Sequence, residues 1–199
     1  MNKLVIYIHG RGGNADEAEH YRSLFPYHDI IGFDYSSRTP WQAEEEFTEF
    51  VSPLCEKYTS VILIANSIGA YFSLCSLGSS NINKAFFISP VVDMENLIIN
   101  MMKYANITEE ELKDKGEIKT SFGETLSYKY LCYAREYPPL WNIPTHILYG
   151  EKDDLTSYET ISAFSKKTGA ILTVMENGEH YFHTEEQMQF LDSWIKQSL

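Results

Sequence analysis

Three side chains far apart in the sequence, Ser67, Asp153 and His180, are of the types that together carry out acyl transfer. A serine hydroxyl is a poor nucleophile at neutral pH and needs a base to take its proton as it attacks. Histidine titrates close to neutrality and fits that role. His180 stands two residues after Gly178, where a glycine turn can swing the ring toward Ser67. The imidazole in turn needs a carboxylate to fix its tautomer and stabilise the imidazolium. Asp153, three residues after Gly150, is the candidate, with Asp154 its immediate competitor. Attack on a carbonyl creates an oxyanion, which two backbone N–H groups can bind. One is that of Ile68, just after the serine, and the other is that of Arg11 in the turn His9-Gly10-Arg11-Gly12-Gly13.

Such chemistry requires rigid elements that carry the groups to one place. Val61-Ile62-Leu63-Ile64-Ala65 is short, apolar and rich in β-branched residues, which predicts a strand buried on both faces. It runs into Asn66-Ser67-Ile68-Gly69, and Ile68 to about Gly78 predicts a helix. A serine at that junction sits on a tight turn, so the residues two before and two after it must be small. Here they are Ala65 and Gly69, the pattern G-x-S-x-G with alanine in the first glycine place. Taken alone, such a serine could equally cap an ordinary helix.

Further strands are predicted at 4–8, 29–34, 84–90, 145–149 and 170–175. Helices are predicted from an Asn14 or Asp16 cap to about Leu24, over 41–58 with a break near Ser52 imposed by Pro53, over 157–167 and over 184–197. Between Val91 and Pro139 the pattern changes to helices at 94–105, 108–115 and 126–136, with a Thr108-x-x-Glu111 capping box and no evident strand. This reads as a helical insertion at about 91–139 in a single domain spanning 1–199. Alternating strands and helices imply right-handed crossovers and a mostly parallel sheet flanked by helices, an α/β fold. Ligands in such sheets sit beyond the carboxyl ends of the strands. The glycine-rich turn, Ser67, Asp153 and His180 each follow the carboxyl end of a predicted strand, in the order serine, aspartate, histidine.

Composition narrows the partners. The net charge of −12, from 16 basic and 28 acidic side chains, opposes binding to nucleic acid or anionic membranes. No apolar run approaches the ~18 residues of a membrane-spanning helix, and the N-terminus reads as a strand rather than a signal peptide. Cys55, Cys75 and Cys132 are odd in number and widely spaced, which points to free thiols in a cytoplasmic protein rather than a disulfide framework or metal site. The first glycine turn lacks the lysine and the spacing of a phosphate-binding loop.

With these pieces in place, the chain resembles the α/β-hydrolase-fold serine hydrolases, as a small carboxylesterase-like member. The resemblance rests on His9-Gly10-Arg11-Gly12-Gly13, Ala65-Asn66-Ser67-Ile68-Gly69, Gly150-Glu151-Lys152-Asp153 and Gly178-Glu179-His180. It implies six parallel strands in the order 2-1-3-4-5-6, the family's first two strands being absent. It also implies that 91–139 is a cap, and that no cofactor is needed. The implied substrate is a small carboxylic ester or thioester, cleaved through an acyl-enzyme. The family's spacing favours Asp153 over Asp154. The same fold also hosts amidases, C–C hydrolases and lyases, and a binding protein could retain it, although such a protein needs no matched triad. A cap would bring Met101 and Met102 to the acyl group as adaptable apolar contacts. Arg11 and Asn66 are the other expected substrate contacts.

The remaining polar candidates read as support. His183, before the last helix, is expected to cap or pack there, and His180-x-x-His183 has metal spacing without a third ligand. His9 is expected to brace the oxyanion turn, Asp93 to cap the first helix of the insertion, and His146 to lie half-buried within its strand.

Overall fold

The six apolar runs form one parallel sheet in the computed structural model, which describes residues 2–199. The strands are β1 (Lys3–Ile8), β2 (Asp29–Phe33), β3 (Ser60–Asn66), β4 (Lys84–Ile88), β7 (Thr145–Gly150) and β8 (Ile171–Met175), in the order β2-β1-β3-β4-β7-β8. Counting only these six, the order is 2-1-3-4-5-6. Register levels their carboxyl ends: Ile8 pairs with Phe33 and Ala65, and Ala65 pairs with Phe87. Gly150 pairs with Met175. The residue that follows each strand therefore emerges at the same edge.

Because side chains alternate across a strand, the sheet builds two apolar layers. Val5, Tyr7, Ile62, Ile64, Phe86, Ile88 and Leu148 pack with Ala18, Tyr21 and Phe25. Leu191, Trp194 and Ile195 of α7 (Glu185–Ser198) complete that layer. The alternate residues Leu4, Ile6, Leu63 and Phe87 are equally buried. They face the layer built by α1 (Pro40–Lys57) and α2 (Ser67–Ser76), which pack on each other through Phe47 and Phe72. Each fully buried side chain of this size contributes roughly 1.5–3 kcal/mol. α6 (Tyr158–Thr168) packs on β7 and β8, behind a cap in which Ser157 Oγ accepts from Thr160 N. α7 begins at a capping box of Thr184 and Gln187.

The expected break at Pro53 does not occur. α1 runs unbroken through Pro53 to Lys57. Its buried residues Ala43, Phe47 and Val51 hold it against the core, and that packing outweighs the one hydrogen bond the proline removes. The expected helix before β2 is present as a 3-10 helix over Ala15–Ser23, with Asn14 accepting from Asp16 N at its start.

The chain divides into two compact units, one running to Val92 and resuming at Leu140–Leu199, the other Asp93–Pro139. The second holds α3 (Met94–Ala105), α4 (Glu109–Lys115) and α5 (Tyr128–Glu136). Asp93 caps α3 by accepting from Asn96 N at 2.9 Å, and Thr108 with Glu111 forms the capping box of α4. Met94, Ile98, Met102, Leu112, Leu126 and Leu131 are its buried apolar residues. Arg135 ties its three helices together, reaching Glu95 at 2.6 Å and Glu109 at 2.5 Å. The unit also contains strands that the sequence did not disclose: β5 (Glu117–Lys119) and β6 (Thr125–Ser127) form an antiparallel hairpin. Each is three residues long with one apolar residue between two polar ones, too short for a period-two pattern to register. Among the described residues, no helix is long and apolar enough to cross a membrane.

Candidate active site

The site is assembled at the carboxyl edge, starting from the β3–α2 junction. Asn66 is extended (φ −103°, ψ 137°), and Ser67 then turns into the left-handed region at φ 49°. A non-glycine residue there carries about 1–3 kcal/mol of strain and persists only where its surroundings over-determine it. Here the surroundings do so. Ser67 O accepts from Val91 N at 3.1 Å. Two residues on, a Cβ at Gly69 would overlap the His9 carbonyl oxygen and stand 2.9 Å from Ile8 Cγ2. Only glycine allows α2 to start this close to β1. Asn66 Nδ2 donates to Tyr7 Oη at 2.8 Å, and Tyr7 donates onward to the Glu17 carboxylate. The Asn66 amide is thereby committed to the core beneath the turn.

Ser67 Oγ lies 2.8 Å from His180 Nε2. On the other side of the ring, His180 Nδ1 lies 2.7 Å from Asp153 Oδ2. An ionised carboxylate can only accept, so Nδ1 carries the ring proton and the Nε2 lone pair faces the serine hydroxyl. The second carboxylate oxygen, Asp153 Oδ1, accepts from Leu155 N at 2.9 Å and Thr156 N at 3.0 Å. The Asp153 side chain is 0% exposed, and every acceptor direction it uses is filled by the protein; the His180 side chain is 20% exposed and open to solvent on one side. Asp154, in contrast, points to solvent.

The loops after β7 and β8 bring these two side chains together because their backbones are stitched. Lys152 N donates to Gly178 O at 2.7 Å, and Glu151 N donates to Met175 O at 3.0 Å. Gly150 and Gly178 make that approach possible: a Cβ on Gly150 would stand 2.6 Å from Gly178 O. Behind Asp153, Tyr149 Oη donates to Thr156 O at 2.9 Å. Burial first, then the charge of Asp153, pushes the Tyr149 hydroxyl up to about 12.

The glycine-rich turn closes the edge. Gly13 N donates to Gly10 O at 3.2 Å, and His9 Nδ1 lies 2.7 Å from the same oxygen. Tyr35 Oη donates to His9 O at 3.0 Å. Arg11 is exposed at the tip of the turn, and Ile68 is half-buried at the first position after Ser67.

The other sequence candidates fall elsewhere. The His183 ring does not cap α7. It is 49% exposed and stacked on Tyr181, with Nδ1 2.7 Å from Tyr181 O, while its backbone N–H reaches Gln187 Oε1 at 3.0 Å. Met101 and Met102 lie on α3 in the second unit, half-buried and buried respectively. Among the described residues, no three His, Cys, Asp or Glu side chains are grouped to hold a metal ion. Sequence reasoning missed Tyr7, Glu17 and Tyr35. The one available signal was for Tyr35, which stands two residues past the carboxyl end of β2 and so at the same sheet edge as Ser67.

No family model matches this chain. A protein of Mycoplasma genitalium, provisionally named an esterase/lipase, is 26% identical over 117 residues, 56% of this chain and 40% of that protein. The chain thus spans well under half the length of the curated relative it matches. Among solved structures, Est1E from Butyrivibrio proteoclasticus superposes with a TM-score of 0.74 at 18% identity, covering 99% of this chain and 86% of its own. Mouse alpha/beta hydrolase domain-containing protein 10 superposes with a TM-score of 0.72 at 18% identity, covering 98% and 88%.

Proposed function

The chain has the α/β-hydrolase fold, and on that fold we propose that it is a serine hydrolase cleaving a small carboxylic ester or thioester. One observation carries the reading: the unbroken line from Ser67 Oγ through His180 to Asp153, with contacts of 2.8 and 2.7 Å. A serine that merely capped a helix would need neither an imidazole at its hydroxyl nor a buried carboxylate behind that imidazole.

The proposed cycle follows from the hydrogen-bond roles. Ser67 Oγ attacks the acyl carbon as its proton passes to His180 Nε2. Asp153 stabilises the imidazolium and holds the ring in place. The carbonyl oxygen becomes an oxyanion, bound by the N–H groups of Arg11 and Ile68. Each such donor typically supplies roughly 3–4 kcal/mol in the transition state. The intermediate collapses, the C–O or C–S bond breaks, and His180 returns the proton to the leaving alkoxide or thiolate. Water then attacks the acyl-enzyme, with His180 taking its proton and giving it back to Ser67 Oγ as the carboxylic acid departs. The provisional name of the Mycoplasma relative supports an ester substrate, and three free cysteines support a reducing, cytoplasmic setting.

A series of p-nitrophenyl esters and acyl thioesters tests the reading. Wild type is expected to turn over at least one short member, and Ser67→Ala to lose about 10³-fold or more. Tight binding of an ester without turnover would instead make the chain a binding protein.

A further inference from the structure

Tyr35 takes no part in the steps above, yet it grips the glycine-rich turn. Its ring stacks on that of His9, with centroids 4.4 Å apart and planes 14° from parallel. Phe47 and Phe72 hold it edge-on at 5.1 and 5.8 Å. Its hydroxyl donates to the His9 carbonyl at 3.0 Å. The loop that carries it is clamped in turn. Glu46 of α1 accepts the N–H groups of Ser36 and Ser37 at 2.8 Å each, and both serine hydroxyls as well.

A peptide unit is planar and trans, so orienting its carbonyl orients the N–H on its other side. The His9–Gly10 unit is oriented by the Tyr35 hydroxyl. The Gly10–Arg11 unit is oriented by His9 Nδ1 and Gly13 N, which both meet Gly10 O. The His9 ring that makes this second contact is held by its stack on Tyr35. One tyrosine thus governs two consecutive peptide planes, and the second of them carries the Arg11 N–H, directed away from Gly10 O.

We infer that Tyr35 is a positioning residue that fixes the direction of the Arg11 N–H through His9, so that this oxyanion donor is set before substrate binds. The inference rests on the hydrolase reading of the same site. Burial, followed by the charges of Glu46 and Glu17, holds the Tyr35 hydroxyl well above the ordinary tyrosine range, so it stays a donor throughout the physiological range.

Tyr35→Phe keeps the ring and its stack on His9 but removes the hydroxyl, which releases the His9–Gly10 unit from which the Gly10–Arg11 unit hangs. The control is Tyr58→Phe, which removes the hydroxyl that meets Asp29 Oδ2 at 2.7 Å, at the amino end of β2. Fluorophosphonate labelling of Ser67 is measured alongside in all three proteins. For a donor displaced rather than deleted, kcat of Tyr35→Phe on a p-nitrophenyl ester is expected to fall roughly tenfold with KM within about twofold of wild type. Affinity for a trifluoromethyl ketone should fall in parallel, while Tyr58→Phe keeps wild-type kcat. Wild-type kcat in a fully labelled Tyr35→Phe overturns the inference and leaves the hydrolase reading standing, and so does an equal fall in Tyr58→Phe. A wild type that neither labels nor turns over any ester overturns both.

Discussion

The carbonyl oxygen of His9 lies against Gly69 so closely that no Cβ fits between them. This single approach joins the two parts of the candidate site that come from different strands. His9 opens the turn after β1, and Gly69 lies in the first turn of α2, two residues past Ser67. The nearest atom to a Gly69 Cβ is the His9 carbonyl oxygen, which is backbone and cannot swing aside as a side chain would. The distance between the nucleophile and the oxyanion turn is therefore set by main chain.

Gly69→Ala is accordingly expected to destabilise the fold by about 1–3 kcal/mol, the usual cost of overpacking a rigid site. It should also lower kcat, because any relief moves the turn away from Ser67. Chemical denaturation with kinetics on the same sample checks both. A variant with wild-type stability and turnover would mean that the turn and the elbow are not coupled.

Asp153→Asn preserves shape and the two N–H bonds to Oδ1. It can, however, present an amide N–H to His180 Nδ1 and so stabilise the wrong tautomer. Loss of kcat on the order of 10⁴-fold is expected, against little change for the exposed Asp154→Asn. Ester hydrolysis by the two variants decides between the neighbours.

Most of the sheet was legible because each strand is a short apolar run ended by a glycine, serine or acidic turn. The same runs placed Ser67, Asp153 and His180 at strand ends, which is why three residues so distant in sequence could be named together. What escaped was non-local or too short. The β5–β6 hairpin has strands of three residues with polar ends. Pro53 signals a break, and only the packing of Phe47 and Val51 reveals why none occurs. Tyr7 reads as a core aromatic of β1; its hydroxyl gains meaning only once Asn66 and Glu17 are seen beside it. The role of Tyr35 is hidden for the same reason, because its partner His9 lies 26 residues away.

The two histidines of the last loop are expected to separate cleanly. His180→Ala should lose roughly 10³-fold or more in kcat, since the general base and the proton for the leaving group go together. His183→Ala, which removes an exposed ring stacked on Tyr181, should stay within about threefold of wild type, as expected for a group outside the proton path. Steady-state kinetics on one ester suffices, and the reverse ranking would reassign the base.

Stability should depend on pH through His146. Burial first, and then the charge of Lys84, holds this imidazole below the ordinary histidine value of 6.5. The unfolded chain therefore binds a proton that the folded chain refuses in the window just below about 6.5, so stability falls as pH drops through that window. His28 adds to the same trend, lowered by burial and then by Lys3. His146→Gln should show a shallower loss of Tm across that window than wild type. An unchanged slope would exclude His146 as a source of the pH dependence.

Covalent capture tests most directly whether Ser67 is an activated nucleophile. Native protein treated with a fluorophosphonate is predicted to gain one adduct, mapped by peptide mass spectrometry to Ser67. The adduct should be absent after denaturation before treatment, and absent in His180→Ala on the same timescale. Folded wild-type protein that leaves Ser67 unmodified would contradict the account.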